Sequence, residues 1–423
     1  MTNKKRRYLS RRAKMKLTQF SPLLKGSFPY LIAVVVTSIL AIWIPRGFRT
    51  KEVKITPSEK NLTSPQAETP LVDSPLNTPS LPSKPSSTFS PDSSLLVPTL
   101  PQVSLSNSGE IYNVKAQPPF HPNADLQLIV DQAVQLAESR NLPIEKLSIS
   151  LVDLSSTQCC HYAAHNEHKP RYPASVVKVF WLVMLYHQYH QQGISPEQIS
   201  PEWKKIIAKT IQKSDNETAS KIFDKITKTQ SSSQELTSDK LDTWIDQRYL
   251  INQFYLSANY PPLNISQKTF PISNEITSPI GPDLQIRQIY GKESPPVRNY
   301  LSTDLLARLF YEIAQNKAVS PEYSQELKKL MKRDLNPQVW QQEPFNPIAG
   351  FLAEYLPIQT NFYAKMGWTF SNRNDAAIIS SSDGKIKYIL IVFGDDPAYY
   401  EDKQFFPLLS KKIYQKLKVS SEK

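Results

Sequence analysis

The chain has 423 residues, 50 of them basic and 38 acidic, for a net charge of +12. The excess is confined to one end: residues 1–50 hold eleven Lys or Arg and no Asp or Glu, and the rest is close to neutral. A nucleic-acid-binding body would keep its positive charge on the folded part, so nucleic acid is excluded as a partner.

The basic cluster NKKRRYLSRRAKMK precedes an uncharged apolar stretch from Phe28 to Pro45. That stretch is near the lower end of the roughly 17–25 residues that cross a bilayer. Lys and Arg stay on the cytoplasmic side. Residues 1–27 are therefore expected as a cytoplasmic tail and 28–45 as a single transmembrane helix. The remainder is then periplasmic, outside the cytoplasmic membrane. No small-x-small cleavage site follows the apolar run, so the anchor is read as uncleaved. Residues 46–122 are dominated by Pro, Ser and Thr, with no sustained apolar period. Such a composition cannot offset chain entropy by burial, and a disordered, extended spacer is expected.

From residue 123 to 423 the composition is globular. ADLQLIVDQAVQLAESRN has helical apolar spacing, KLSISLVDL alternates like a strand, and QCCHYAAH follows as its hairpin partner. Near the other end, TNFYAKMG, NDAAIISSS and KIKYILIVFG read as three strands, and FFPLLSKKIYQKLK as a closing amphipathic helix. The sheet is thus drawn from both ends of the body and the middle is mainly helical. The class is α/β (α+β): an antiparallel sheet flanked by helices, with an all-α subdomain.

Three short motifs carry chemistry. Ser175 and Lys178 lie one turn apart at a helix start. A serine hydroxyl becomes a useful nucleophile when a neighbouring base takes its proton, and a lysine serves when desolvation lowers its pKa. The run VFWLVMLY behind Lys178 promises that desolvation. Ser214, Asp215 and Asn216 combine a hydroxyl and an amide with good helix-capping chemistry. Lys365 and Gly367 stand on a late strand, where a cation can meet a carboxylate and glycine admits a close neighbour.

A rival cluster gathers Cys159, Cys160, His161, His165 and His168, with His187 and His190 further on. Thiolates and imidazoles are zinc ligands, but this spacing matches no zinc pattern. A bond between neighbouring cysteines is geometrically strained. The expectation is a strand and turn with surface histidines, no metal and no cofactor.

In their order and setting, S-x-x-K, S-D-N and K-x-G resemble the class A β-lactamase and penicillin-binding-protein family, over roughly residues 123–418. NYLSTDLLARLFYEIA looks like that family's helix ahead of the third motif. The resemblance implies a serine hydrolase working by acyl transfer on β-lactams or cell-wall (peptidoglycan) peptides. Ser175 would attack, with Lys178 as base, and Ser214 would return the proton to the leaving nitrogen. Asn216 and Lys365 would bind substrate beside Gly367, and the N–H groups of Ser175 and Trp368 would hold the oxyanion. The sequence departs from the family in four places, one of them a shorter interval between Ser175 and Ser214 that implies a missing part of the helical domain wall. Tyr260, in YPPLN, stands where a deacylating glutamate is expected, leaving Glu275 and Glu293 as substitutes. Met366 replaces a hydroxyl residue. A Pro-rich insertion spans about 260–297. These imply slow deacylation. A non-catalytic cell-wall-binding member is the second reading, and a metal-dependent hydrolase rests only on the Cys/His cluster.

Overall fold

The computed structural model describes residues 111–155 and 159–421. The expected tail, the apolar stretch 28–45 and most of the expected spacer lie outside them. Among the described residues no helix is long and apolar enough to cross a membrane.

A two-residue strand β1 (His121–Pro122) leads into α1 (Ala124–Ser139). Asn123 fixes the start of that helix by accepting a hydrogen bond from the N–H of Leu126. Strands β2 (Leu147–Asp153) and β3 (His161–His165) follow as an antiparallel pair. One 3-10 turn (Ala174–Val177) then runs into α2 (Lys178–Gln191). The helical layer continues through α3 (Pro201–Gln212), α4 (Asn216–Thr227), α5 (Ser238–Arg248), α6 (Leu250–Leu256) and α7 (Gly281–Arg287). Next come α8 (Thr303–Ala314), α9 (Pro321–Met331), β4 (Lys332–Arg333) and the short α10 (Pro337–Trp340). The chain closes with β5 (Asn361–Thr369), β6 (Asn372–Ser380), β7 (Lys387–Gly394), α11 (Pro397–Glu401) and α12 (Phe405–Ser421).

The strands form one sheet in the order β1-β3-β2-β7-β6-β5-β4. It is antiparallel throughout except for the short parallel pairing of β1 with β3. β7 sits in the middle and is apolar along its length because both its faces are covered. Ile389, Ile391 and Phe393 join a core that includes α2 and α8. Tyr388, Leu390 and Val392 join a second core with α1 and α12. In β2 the polar positions of the alternation do not face water: Ser150 Oγ donates to Thr303 Oγ1 on α8 at 2.9 Å.

The boundary of the expected spacer is corrected by Tyr112. Its side chain is fully buried, with its ring 5.5–5.8 Å from those of Phe254, Tyr255 and Tyr260. Its hydroxyl donates to Glu312 Oε2 at 2.8 Å. Residues 111–122 therefore belong to the folded body. A single buried aromatic in a Pro-rich stretch gives no periodicity to read.

In the cysteine cluster, the sulfur atoms of the neighbouring Cys159 and Cys160 lie against each other. The histidines do not converge. His165 faces the carbonyl of Ile144 at 3.1 Å, exposed His168 pairs with Asp304 at 2.8 Å, and His187 is buried against the ring of Phe254. No group of three His, Cys, Asp or Glu among the described residues could hold a metal ion.

Candidate active site

Helix α2 is buried from Lys178 to Tyr189, so it is a core helix rather than a surface one. The turn before it is buried at Ala174, Val176 and Val177, while Ser175 between them is only half-buried. The serine is thus the accessible point of an otherwise enclosed turn. The turn is seated on β5. A Cβ added to Gly367 would lie 2.6 Å from the backbone N of Ser175 and 2.8 Å from the carbonyl of Pro173. Glycine is required at 367 because any side chain would collide with main chain. β4 pairs only with Phe362 and Tyr363, so the turn meets β5 beyond the point where β4 has ended.

Lys178 is fully buried, and its Nζ donates to the carbonyl of Ser214 and to Asn216 Oδ1, both at 2.6 Å. Lys365, equally buried, donates from Nζ to Ser214 Oγ at 2.8 Å and to the carbonyl of Met366 at 2.6 Å. Ser214 can serve both because its φ is 54°, in the left-handed region that non-glycine residues rarely adopt. Its carbonyl turns to one lysine and its hydroxyl to the other. Asp215 locks this geometry as the cap of α4, accepting from the N–H of Thr218 at 2.8 Å.

Lys178 and Lys365 thus meet at Ser214, and Gly367, on the same strand as Lys365, seats the turn that carries Ser175. Trp368 follows at the rim, about half exposed (48%), with its ring stacked on that of Tyr400.

Burial pushes the Lys178 amine down from 10.5 to about 7, with Asp215 pulling weakly the other way. Burial also takes Lys365 well below its usual value, helped by the charges of Lys178 and Arg333. Two desolvated amines side by side thus give up protons far more readily than ordinary lysines.

The place expected for the deacylating glutamate is corrected. Tyr260 is buried away from this site, donating to Glu312 Oε2 at 2.5 Å, with Arg308 stacked 3.8 Å from its ring centre. Burial and Glu312 hold its phenol well above the usual range. The loop segment that touches the site comes later. Thr269 Oγ1 donates to Asn216 Oδ1 at 2.9 Å, and Asn216 Nδ2 donates to the carbonyl of Pro271 at 2.9 Å. Phe270 lies between those two contacts. Glu275 and Glu293 are exposed.

Sequence reasoning missed the supports. Arg333 donates to the carbonyls of Ile211 and Ala364, each at 3.1 Å, tying the end of α3 to β5 and so setting Ser214 against Lys365. Asn372 and Asn374 both donate to the carbonyl of Tyr172, at 3.0 and 2.9 Å, and steady the approach to Ser175 from β6. A paired Asn on alternate positions of a buried strand was the available signal.

Residues 131–417 match the family described as Beta-lactamase enzyme family. The chain belongs to that family. Solved structures similar to it include PBP-A, 18% identical over 72% of this chain and 99% of its own, with a TM-score of 0.47. A mutant of PBP-A, solved as an acyl-enzyme complex with penicillin G, is 18% identical over 71% and 99%, with a TM-score of 0.48. A β-lactamase from Sphaerobacter thermophilus is 16% identical over 69% and 97%, with a TM-score of 0.46. No curated protein matches the sequence.

Proposed function

We propose that this family member is a serine hydrolase that opens β-lactams or cell-wall peptides through an acyl-enzyme on Ser175, and releases the acyl group slowly. The observation that carries the reading is the convergence of Lys178 and Lys365 on Ser214, with Lys178 depressed to about 7.

Neutral Lys178 takes the proton of Ser175 as Oγ adds to the substrate carbonyl. The oxyanion is met by the N–H groups of Ser175 and Trp368. The C–N bond then breaks, and Ser214 delivers a proton to the leaving nitrogen, drawing on the lysine pair. A substrate carboxylate beside Lys365 restores that amine's charge and competes with its bond to the Met366 carbonyl. Water must be activated to cleave the ester. The segment facing Asn216 offers Thr269, Phe270 and Pro271, which include no carboxylate.

The basic N-terminus and the apolar stretch 28–45 support an anchor in the cytoplasmic membrane with the body outside. A binding role without turnover is the second reading, favoured by the absence of a carboxylate among residues 269–271, which contact Asn216. Incubation with a fluorescent penicillin tests the proposal: the protein should label covalently and Ser175→Ala should not. Labelling that survives the loss of Ser175 rejects it.

A further inference from the structure

A cleft of roughly 730 Å³ opens between α3, α4 and residues 268–276, and Asn216 is not part of its lining. Its size falls in the range of small-molecule sites. Trp203, Ile272 and Ile276 supply apolar wall. The polar lining is unbalanced toward positive charge. Lys225, Lys228 and Lys268 face Asp224 and Glu202. Lys268 is the built part: its side chain is 1% exposed, and its Nζ donates to Asp224 Oδ2 and Ser231 Oγ, each at 2.7 Å. Lys225 holds its ammonium 4.9 Å from the centre of the Trp203 ring, where a cation is attracted to the π-face.

We propose that this cleft binds a small organic anion with a flat apolar face, and that its occupancy is felt at Asn216. The anionic group would meet Lys225, Lys228 and Lys268 while the ring lies along Trp203 and the isoleucines. The link is four residues long. Lys268 is anchored to Asp224 in the cleft, and its neighbour Thr269 bonds Asn216 Oδ1. Pro271 receives Asn216 Nδ2. Asn216 Oδ1 is in turn a partner of Lys178. An anion that competes with Asp224 for the Lys268 ammonium pulls on residues 268–271 and shifts the amide that holds Lys178. The site does not depend on the proposed hydrolase chemistry, and its test is chosen to be independent of it.

The probe is 8-anilinonaphthalene-1-sulfonate, titrated by fluorescence into the full chain, with hydrogen exchange of residues 264–276 measured at saturation. Saturable binding is expected, weakened at least tenfold in Lys225→Gln/Lys228→Gln and in Trp203→Leu, with altered exchange across 268–271. The two lysines are exposed, so the double variant should melt like the wild type, and it decides between the outcomes if Trp203→Leu misfolds. Unsaturable binding, or binding indifferent to the lysine pair, overturns the site. Binding that leaves exchange at 268–271 unchanged overturns the link. Absence of Ser175 acylation would count against the proposed function alone, since neither readout uses it.

Discussion

Acylation by this protein should follow the titration of Lys178. The amine is enclosed by α2 and by the Ser214–Asn216 loop, and burial lowers it from 10.5 to about 7. A base works only in its neutral form, so rate rises with pH. For a group titrating near 7, the neutral fraction is about a tenth at pH 6 and about nine-tenths at pH 8, roughly a tenfold gain. An ordinary lysine would be neutral in about one molecule in three thousand at pH 7. The perturbation is therefore pH itself, with Lys178→Arg as the control, since arginine stays charged. Stopped-flow labelling by a fluorescent penicillin between pH 5 and 9 should give a sigmoid centred near 7. Lys178→Arg should be slower by on the order of 10²–10⁴ and lose that sigmoid. A wild-type rate flat across this range, or one that climbs only above pH 9, would refute the assignment of Lys178 as the base.

The same burial predicts a stability effect of known sign. Below about pH 7 Lys178 is charged in both states and burying the charge fully opposes folding; the penalty fades as pH rises toward 10.5, where the unfolded group also loses its proton. Thermal melts should accordingly give Lys178→Met a Tm advantage over wild type that shrinks from pH 7 to pH 10, and a constant difference would contradict it. Phe270→Glu should place a carboxylate next to the Asn216 contacts and speed acyl-enzyme release by on the order of 10²-fold, as followed by loss of label. Tyr260→Glu should lower Tm with no faster release, because it sets a second carboxylate beside buried Glu312. Gly367→Ala should reduce acylation sharply and cost about 1–3 kcal/mol in urea unfolding, since its Cβ would press on the main chain of Ser175 and Pro173. A variant as stable and as reactive as wild type would mean the turn is not seated on β5 as described.

The elements that were legible have a period of their own. β5, β6 and β7 and the closing α12 stand where their apolar patterns predict. The three motifs were readable because each keeps its chemistry within three or four residues. What failed to show was anything joined only in space. Arg333 connects Ile211 to Ala364, and its meaning depends on two carbonyls far away in sequence. The fragment YPPLN drew attention to Tyr260 by local likeness, yet its phenol is claimed by Glu312 on α8. The segment that does reach Asn216, at 269–271, has no such likeness. Tyr112 was hidden by the prolines around it, which argue for disorder even where one side chain reaches the core.

The most direct test of the account is the location of the acyl group. After brief incubation with benzylpenicillin, the intact mass should rise by one penicillin. Trypsin should then place the adduct on the peptide from Tyr172 to Lys178, whose only hydroxyl besides the Tyr172 phenol belongs to Ser175. The label should leave slowly on further incubation. An adduct on any other peptide, or rapid turnover without an observable adduct, would contradict a Ser175 acyl-enzyme with slow release.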